Sequence, residues 1–131
     1  MSWAFATDAM TVVRRIEHVQ LAMPRGREDE ARAFYGDVLG LPEVKKPPDL
    51  AVRGGCWFED GAIKIHLGVE EDFRPAKKAH VALVVADLEA ALAAARGLGC
   101  ETRPPQPFGD FTQAYVFDPF GNRIELLQTP A

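Results

Sequence analysis

The chain has 131 residues, 47% of them hydrophobic, so it is long enough to bury one core without disulfide or metal staples. Its charged fraction of 26% and net charge of -4 leave no basic surface for nucleic acid or for an anionic membrane. No apolar run approaches the roughly 20 residues of a membrane-spanning helix, and the N-terminus lacks the charged-then-apolar order of a signal peptide. We therefore expect a cytoplasmic protein that binds neither nucleic acid nor membrane, with Cys56 and Cys100 as buried reduced thiols.

The first half of the chain predicts a strand, a helix and three further strands. Residues 1–13 have no clear periodicity and are treated as a loose N-terminal extension. Acidic residues begin the helical pattern and Gly40 occupies its expected C-cap, while several prolines interrupt the segment after it. In chain order, the predicted elements are a strand over 14–23, a helix over 27–39, a short edge strand over 41–45, and strands over 52–58 and 62–67 joined by a tight turn at 59–61.

The second half repeats this order after a polar connection. Asp87 is a plausible N-cap for a helix that carries Leu88 and Leu92 at helical spacing and ends near Gly97 or Gly99. In chain order, the predicted elements are a strand over 79–85, the helix from 88, a short strand over 101–103, a proline-rich loop, and strands over 112–117 and 123–128.

The two halves also share local sequence. EHVQLAM in the first strand of one half corresponds to AHVALVV in the first strand of the other, and IKIHL corresponds to NRIEL in the last strands. An internal repeat outranks any single motif as a guide to the fold. The sequence thus predicts one α+β domain over 14–131, made of two tandem β-α-β-β-β modules over 14–70 and 78–128.

The repeat places four potential metal ligands at two equivalent positions. His18 corresponds to His80 in the first strands, and His66 corresponds to Glu125 in the last strands. Because alternate residues of a strand point to opposite faces, all four lie opposite the aliphatic residues that should pack on the helices. Three imidazoles and one carboxylate suit one divalent ion of zinc, nickel, iron, manganese or cobalt, although a lone histidine on a strand is more often structural.

Five further residues are candidates for binding the substrate. Lys64 and Arg123 share the face of His66 and Glu125, where they either contact an anionic substrate or are simply solvated. Trp57, Phe111 and Tyr115 either line an apolar pocket or belong to the core.

With these motifs the sequence resembles the vicinal oxygen chelate superfamily, also called the glyoxalase, bleomycin-resistance and extradiol dioxygenase superfamily. The resemblance covers 15–128, and its motifs are IEHVQLAM, ARAFYGDVLGL, AHVALVV and DPFGNRIELL, of which the last is the most specific. It implies an open, cupped mixed sheet with helices on its outer face, and metal ligands on the first and last strands of each module.

The resemblance also implies the roles of the four residues. Position by position, the ligands are His18, His66, His80 and Glu125, and Glu125 is their only carboxylate and a fixed ligand more than a mobile catalytic base. His66 departs from the Glu or Gln that metal-dependent glyoxalases usually present, which weakens a specific glyoxalase assignment.

Three functions remain open from the sequence. The leading one is a homodimeric, metal-dependent enzyme that acts on a small oxygen-rich substrate by lyase, isomerase or dioxygenase chemistry. The alternatives are a non-enzymatic drug- or metabolite-binding protein of the bleomycin-resistance type and a fosfomycin-type enzyme that adds thiol or water. The scaffold alone does not decide among them.

Overall fold

The computed structural model describes residues 11–130 and contains the predicted order of elements twice. Residues 1–10, which make up most of the predicted loose extension, lie outside the described residues, as does residue 131. Module one contains strand β1 (Val19–Met23), helix α1 (Glu28–Ala31) continued by a π-helical segment (Arg32–Val38), strand β2 (Glu43–Val44), helix α2 (Pro48–Ala51), and strands β3 (Cys56–Asp60) and β4 (Ile63–Val69). Module two contains β5 (Val81–Val84), α3 (Leu88–Gly97), β6 (Gln106–Phe108), β7 (Phe111–Phe117) and β8 (Arg123–Gln128). The predicted tandem β-α-β-β-β fold is confirmed.

Each module forms its own four-stranded mixed sheet with the same topology. The strand orders are β1-β4-β3-β2 and β5-β8-β7-β6, with the first and last strands of each module parallel and the other pairs antiparallel. Gln20 pairs with His66 in one sheet as Ala82 pairs with Glu125 in the other. The register therefore bears out the repeat, and β1 and β5 are edge strands of their sheets.

Several element boundaries differ from the predictions. The first strand begins only at Val19, the third strand extends to Asp60 so that the turn lies at 61–62, and the expected strand over 101–103 is a single bridge between Thr102 and Val116. Helix α2 and strand β6 were not predicted, because prolines in both segments favour loops. By contrast, β8 has the predicted bounds, and Asp87 caps α3 by accepting a hydrogen bond from the Ala90 amide at 3.0 Å.

One apolar core joins the modules. The π-helical segment packs against α3, and the aliphatic faces of both sheets contribute fully buried residues to the same cluster, among them Leu67 and Leu126. Cys56 is buried as predicted, whereas Cys100 is half-buried; both are free thiols, and burial raises the pKa of Cys56 to about 11. None of the helices within 11–130 is long and apolar enough to cross a membrane.

A buried carboxylate connects the modules. Asp118, in the turn between β7 and β8, accepts hydrogen bonds from the Tyr35 hydroxyl at 2.6 Å and from the backbone amides of Phe120 and Asn122. The Asn122 side chain donates both to Asp118 and to the backbone carbonyl of Ala22 in β1. Burial raises the pKa of Asp118, and burial together with the adjacent Asp118 carboxylate raises the pKa of Tyr35 well above its usual value.

Removing the Tyr35 hydroxyl should weaken this connection measurably. We expect Tyr35→Phe to lower the free energy of unfolding by about 2 kcal/mol, because it deletes a buried hydrogen bond to a charged acceptor and leaves Asp118 less satisfied. Urea denaturation monitored by circular dichroism measures the change. Tyr115→Phe is the matched control, since the Tyr115 hydroxyl has no hydrogen-bond partner within 11–130, and an equal loss in both variants would contradict the prediction.

Candidate functional site

The polar face of module one centres on a buried histidine in β4. The His66 side chain is only 6% exposed, and its Nε2 lies 2.8 Å from Oε2 of Glu59 in β3. Trp57 stacks on one side of the His66 ring, with centroids 4.1 Å apart and an interplanar angle of 6°. His18, just before β1, also stacks on His66 at 4.4 Å and 18°. The rings of Trp57 and His18 fix the plane of the His66 ring.

Strand register explains this cluster. Trp57 pairs with His66 and Glu59 pairs with Lys64 across β3 and β4, so all four side chains share one face of the sheet. The Lys64 ammonium is already paired, because its Nζ donates a hydrogen bond to the Glu17 carboxylate at 2.6 Å. This hydrogen bond, with a smaller contribution from His18, lowers the pKa of Glu17.

Module two carries the second part of the candidate site. His80 Nδ1 lies 2.8 Å from the backbone carbonyl oxygen of Lys78, and its Nε2 lies 2.8 Å from Oε1 of Glu125 in β8. Tyr115, which pairs with Glu125 across β7 and β8, meets the His80 ring edge-on at 5.4 Å. The guanidinium of Arg123 lies over the Tyr115 ring at 4.4 Å.

Arg123 has a donor that the rest of the described chain does not satisfy. Its Nε is buried, and no acceptor within 11–130 reaches it. Arg123, Arg74 and His80 also line a cleft of about 540 Å³ that includes residues of β1 and β5. A buried N–H without a partner is costly, so this position favours an acceptor supplied from outside the chain.

The structure brings the four predicted ligands together as two pairs. His18 contacts His66 in module one, and His80 contacts Glu125 in module two. Among the described residues, no group of three or more His, Cys, Asp or Glu side chains is arranged to hold a metal ion. The two pairs lie on different sheets, at positions related by the repeat.

The other predicted site residues divide between the two pairs. Trp57 and Lys64 lie beside His66, and Tyr115 and Arg123 lie beside His80. Phe111 instead begins β7, where it pairs with Phe108. It is four residues, or about 13 Å of extended strand, from Tyr115.

Sequence reasoning missed Glu59. The pattern Glu59-Asp60-Gly61 favours a turn, whereas β3 continues to Asp60 and Glu59 faces His66. The signal that could have found it is parity, because Glu59 is two residues from Trp57 and therefore points to the same face of the strand.

The chain belongs to the Glyoxalase/Bleomycin resistance protein/Dioxygenase superfamily, whose family model matches residues 15–126. This confirms the resemblance inferred from the sequence. A search of curated proteins found no match.

Solved structures support the same assignment. A glyoxalase family protein from Bacillus anthracis is 44% identical, with 90% of this chain and 97% of that chain covered and a TM-score of 0.80. The fosfomycin resistance protein FosX from Listeria monocytogenes is 16% identical, with 90% and 95% covered and a TM-score of 0.72. A variant of Listeria FosX, also 16% identical, with 88% and 90% covered and a TM-score of 0.71, was crystallised with Mn(II) and 1S,2S-dihydroxypropylphosphonic acid. The likeness to FosX shows the fold alone.

The stack on His66 should be visible in tryptophan fluorescence. In a Trp3→Phe background, where Trp57 is the sole tryptophan, we expect His66→Leu to change the emission intensity of the metal-free protein, because the imidazole lies against the indole. His80→Leu is the matched control on the other sheet and should leave the emission unchanged. Emission that is the same in all three proteins would contradict the stacked geometry.

Proposed function

We propose that this protein is a divalent-metal-dependent enzyme that acts on a small, oxygen-rich, anionic molecule by metal-chelated lyase, isomerase or dioxygenase chemistry. The observation that carries the proposal is the environment of His80. Its two nitrogens face two acceptors, the Lys78 carbonyl and the Glu125 carboxylate. A neutral imidazole has one N–H, so with Nδ1 donating to Lys78 only a lone pair faces Glu125. A divalent cation satisfies both the lone pair and the carboxylate.

The other histidines add compatible donors. His18 Nδ1 lies 3.2 Å from a carboxylate oxygen of Glu17, which can only accept, so the Nε2 of a neutral His18 carries a lone pair. Anchoring one ring nitrogen on a carboxylate or a carbonyl is typical of metal-binding histidines. His18, His66, His80 and Glu125 are accordingly the proposed ligands.

We further propose that a second copy of the chain completes each site. The modules of one chain pack through their helices and are linked by the hydrogen bond from Asn122 to Ala22, whereas the two ligand pairs lie on separate sheets. In the part of the chain that the structure describes, no strand pairs with the outer edge of β1 or β5. A homodimer that aligns β1 of one copy with β5 of the other would bring complementary ligand pairs together, consistent with the two-fold symmetry common among homo-oligomers.

In this scheme the metal supplies Lewis-acid polarisation of substrate oxygens and stabilises negative charge that develops on them. Arg123 contributes the anion contact, because its buried Nε lacks an acceptor within 11–130, whereas Lys64 is already paired with Glu17. Trp57 and Tyr115 provide aromatic walls beside the ligands. Glu125 acts as a fixed ligand.

Metal binding is the first test. We expect the isolated protein to retain a transition metal by elemental analysis, and a metal at a hundred times its Kd to stabilise the metal-free protein by about 2.7 kcal/mol. Mn(II) is the first ion to try, because a FosX variant was crystallised with it. Glu125→Ala should abolish the stabilisation, whereas Glu101→Ala, which removes an exposed carboxylate paired with Arg103, should not.

Two outcomes would change the conclusion. Absence of any bound metal, together with no thermal stabilisation by manganese, iron, cobalt, nickel or zinc, would contradict a metal-dependent enzyme. Tight binding of a flat aromatic or glycopeptide drug that is indifferent to metal would favour the drug-binding alternative. Retained iron would favour a dioxygenase, and nickel or zinc a lyase or an isomerase.

Mixing two inactive variants tests whether the site spans two chains. One variant carries His18→Ala and His66→Ala, and the other carries His80→Ala and Glu125→Ala. If each site takes one pair from each chain, a mixed dimer has one intact site and one site with no ligands. After unfolding and refolding an equal mixture, half the dimers are mixed, so we expect about a quarter of the wild-type metal capacity.

The unmixed variants serve as controls and should bind no metal tightly. If a complete site forms within each chain, no intact site arises in the mixture, and metal capacity stays at the level of the separate variants.

A further inference from the structure

We infer that Glu59 is a positioning residue that holds His66 so that its Nδ1 is the nitrogen the ring offers to the site. The inference rests on the proposed function, which makes His66 part of a metal centre. Glu59 was not among the predicted site residues. The position of the proton on the His66 ring can be measured with or without metal.

The three site histidines differ in which nitrogen is anchored. His18 is in contact with Glu17 through Nδ1, and His80 has an acceptor at each nitrogen, the Lys78 carbonyl at Nδ1 and the Glu125 carboxylate at Nε2. His66 differs from both, because its hydrogen-bond contact within 11–130 is at Nε2 alone, with Glu59. An ionised carboxylate only accepts hydrogen bonds, so Nε2 donates and the lone pair of the neutral His66 ring lies on Nδ1.

Stacking alone does not select this orientation. Trp57 and His18 fix the plane of the His66 ring, but a rotation of 180° about the bond to the ring leaves the plane, and hence both stacks, in place. That rotation exchanges the positions of nitrogen and carbon atoms at the ring edge. Among the described contacts of His66, only the hydrogen bond to Glu59 distinguishes the two orientations.

The low exposure of the Glu59 and His66 side chains strengthens the hydrogen bond between them. The Glu59 side chain is 25% exposed and that of His66 is 6% exposed, compared with 54% for Glu17 and 41% for His18. Water competes less for a hydrogen bond in such surroundings, so the His66–Glu59 pair should hold its geometry better than the exposed Glu17–His18 pair.

The second module shows that Glu59 is not a general feature of the repeat. Glu59 pairs with Lys64 in module one, and the equivalent pair in module two is Phe117 with Arg123. Where the last strand carries a histidine, the neighbouring strand carries a carboxylate. Where the last strand carries Glu125, which has no tautomer to select, the corresponding residue is apolar. This difference between the two modules supports a role of Glu59 that is tied to His66.

Nitrogen-15 NMR of the metal-free protein tests the inference directly. The chain has three histidines, so single His→Gln variants assign the signals. At a pH where the rings are neutral, we expect His66 of the wild type to carry its proton on Nε2. Glu59→Gln should keep this tautomer, because the amide oxygen accepts the same hydrogen bond, whereas Glu59→Leu should give a mixture. Glu101→Leu controls for the loss of one carboxylate.

Metal affinity provides the second readout. We expect Glu59→Leu to weaken Mn(II) binding by about 10- to 100-fold, and Glu59→Gln by less, as for other residues that orient metal ligands. A wild-type His66 protonated on Nδ1, or an unchanged tautomer in Glu59→Leu, would overturn the inference. If Glu59→Leu does not fold, Glu59→Ala, which also removes the acceptor, takes its place in both measurements. A wild type that binds no metal overturns the proposed function and leaves the tautomer measurement intact.

Discussion

The arrangement of the two modules depends on the buried carboxylate of Asp118. Isolating a carboxylate from water is costly unless hydrogen bonds replace its hydration, and here the replacements come from both modules. The Tyr35 hydroxyl reaches it from the π-helical segment, while Asn122 links it to the Ala22 carbonyl at β1. Apolar packing between the π-helical segment and α3 tolerates small shifts, whereas these directional bonds specify one relative position. The hydrogen bonds of Asp118 and Asn122 thereby fix the relative positions of the polar faces of the two sheets.

With the helix sides joined, each chain presents the four proposed metal ligands as two separate pairs. One pair has His18 stacked on His66, and the other has His80 opposite Glu125. The proposed dimer follows from this division, since ligands on separate sheets need a neighbouring surface to complete their coordination. β1 and β5 are equivalent strands of the repeat, and each forms an edge of its sheet. The repeat therefore allows β1 of one copy to align with β5 of the other.

The sequence predicted correctly those features that depend on interactions between residues close together in the chain. The bounds of β8, the cap at Asp87 and the alternation of aliphatic and polar residues were predicted, because each depends on neighbouring residues in one element. Sequence reasoning failed at Glu59, where turn-forming residues outweighed strand parity. The sequence also left open whether the two ligand pairs of one site come from one chain or from two. Parity states which face of a sheet a side chain occupies, but the distance between two sheets is set by tertiary contacts such as that between Tyr35 and Asp118.

The outer edge of β5, with which no strand within 11–130 pairs, affects how the chain behaves before it assembles. Its four residues, Val81–Val84, include no charge and no proline, and Val84 is 62% exposed. Natural proteins usually protect such an edge with charged residues, proline or a covering element, because it can recruit strands from other molecules. Before assembly, a monomer of the proposed homodimer would therefore be open to aggregation through that edge, and rapid pairing would protect its solubility.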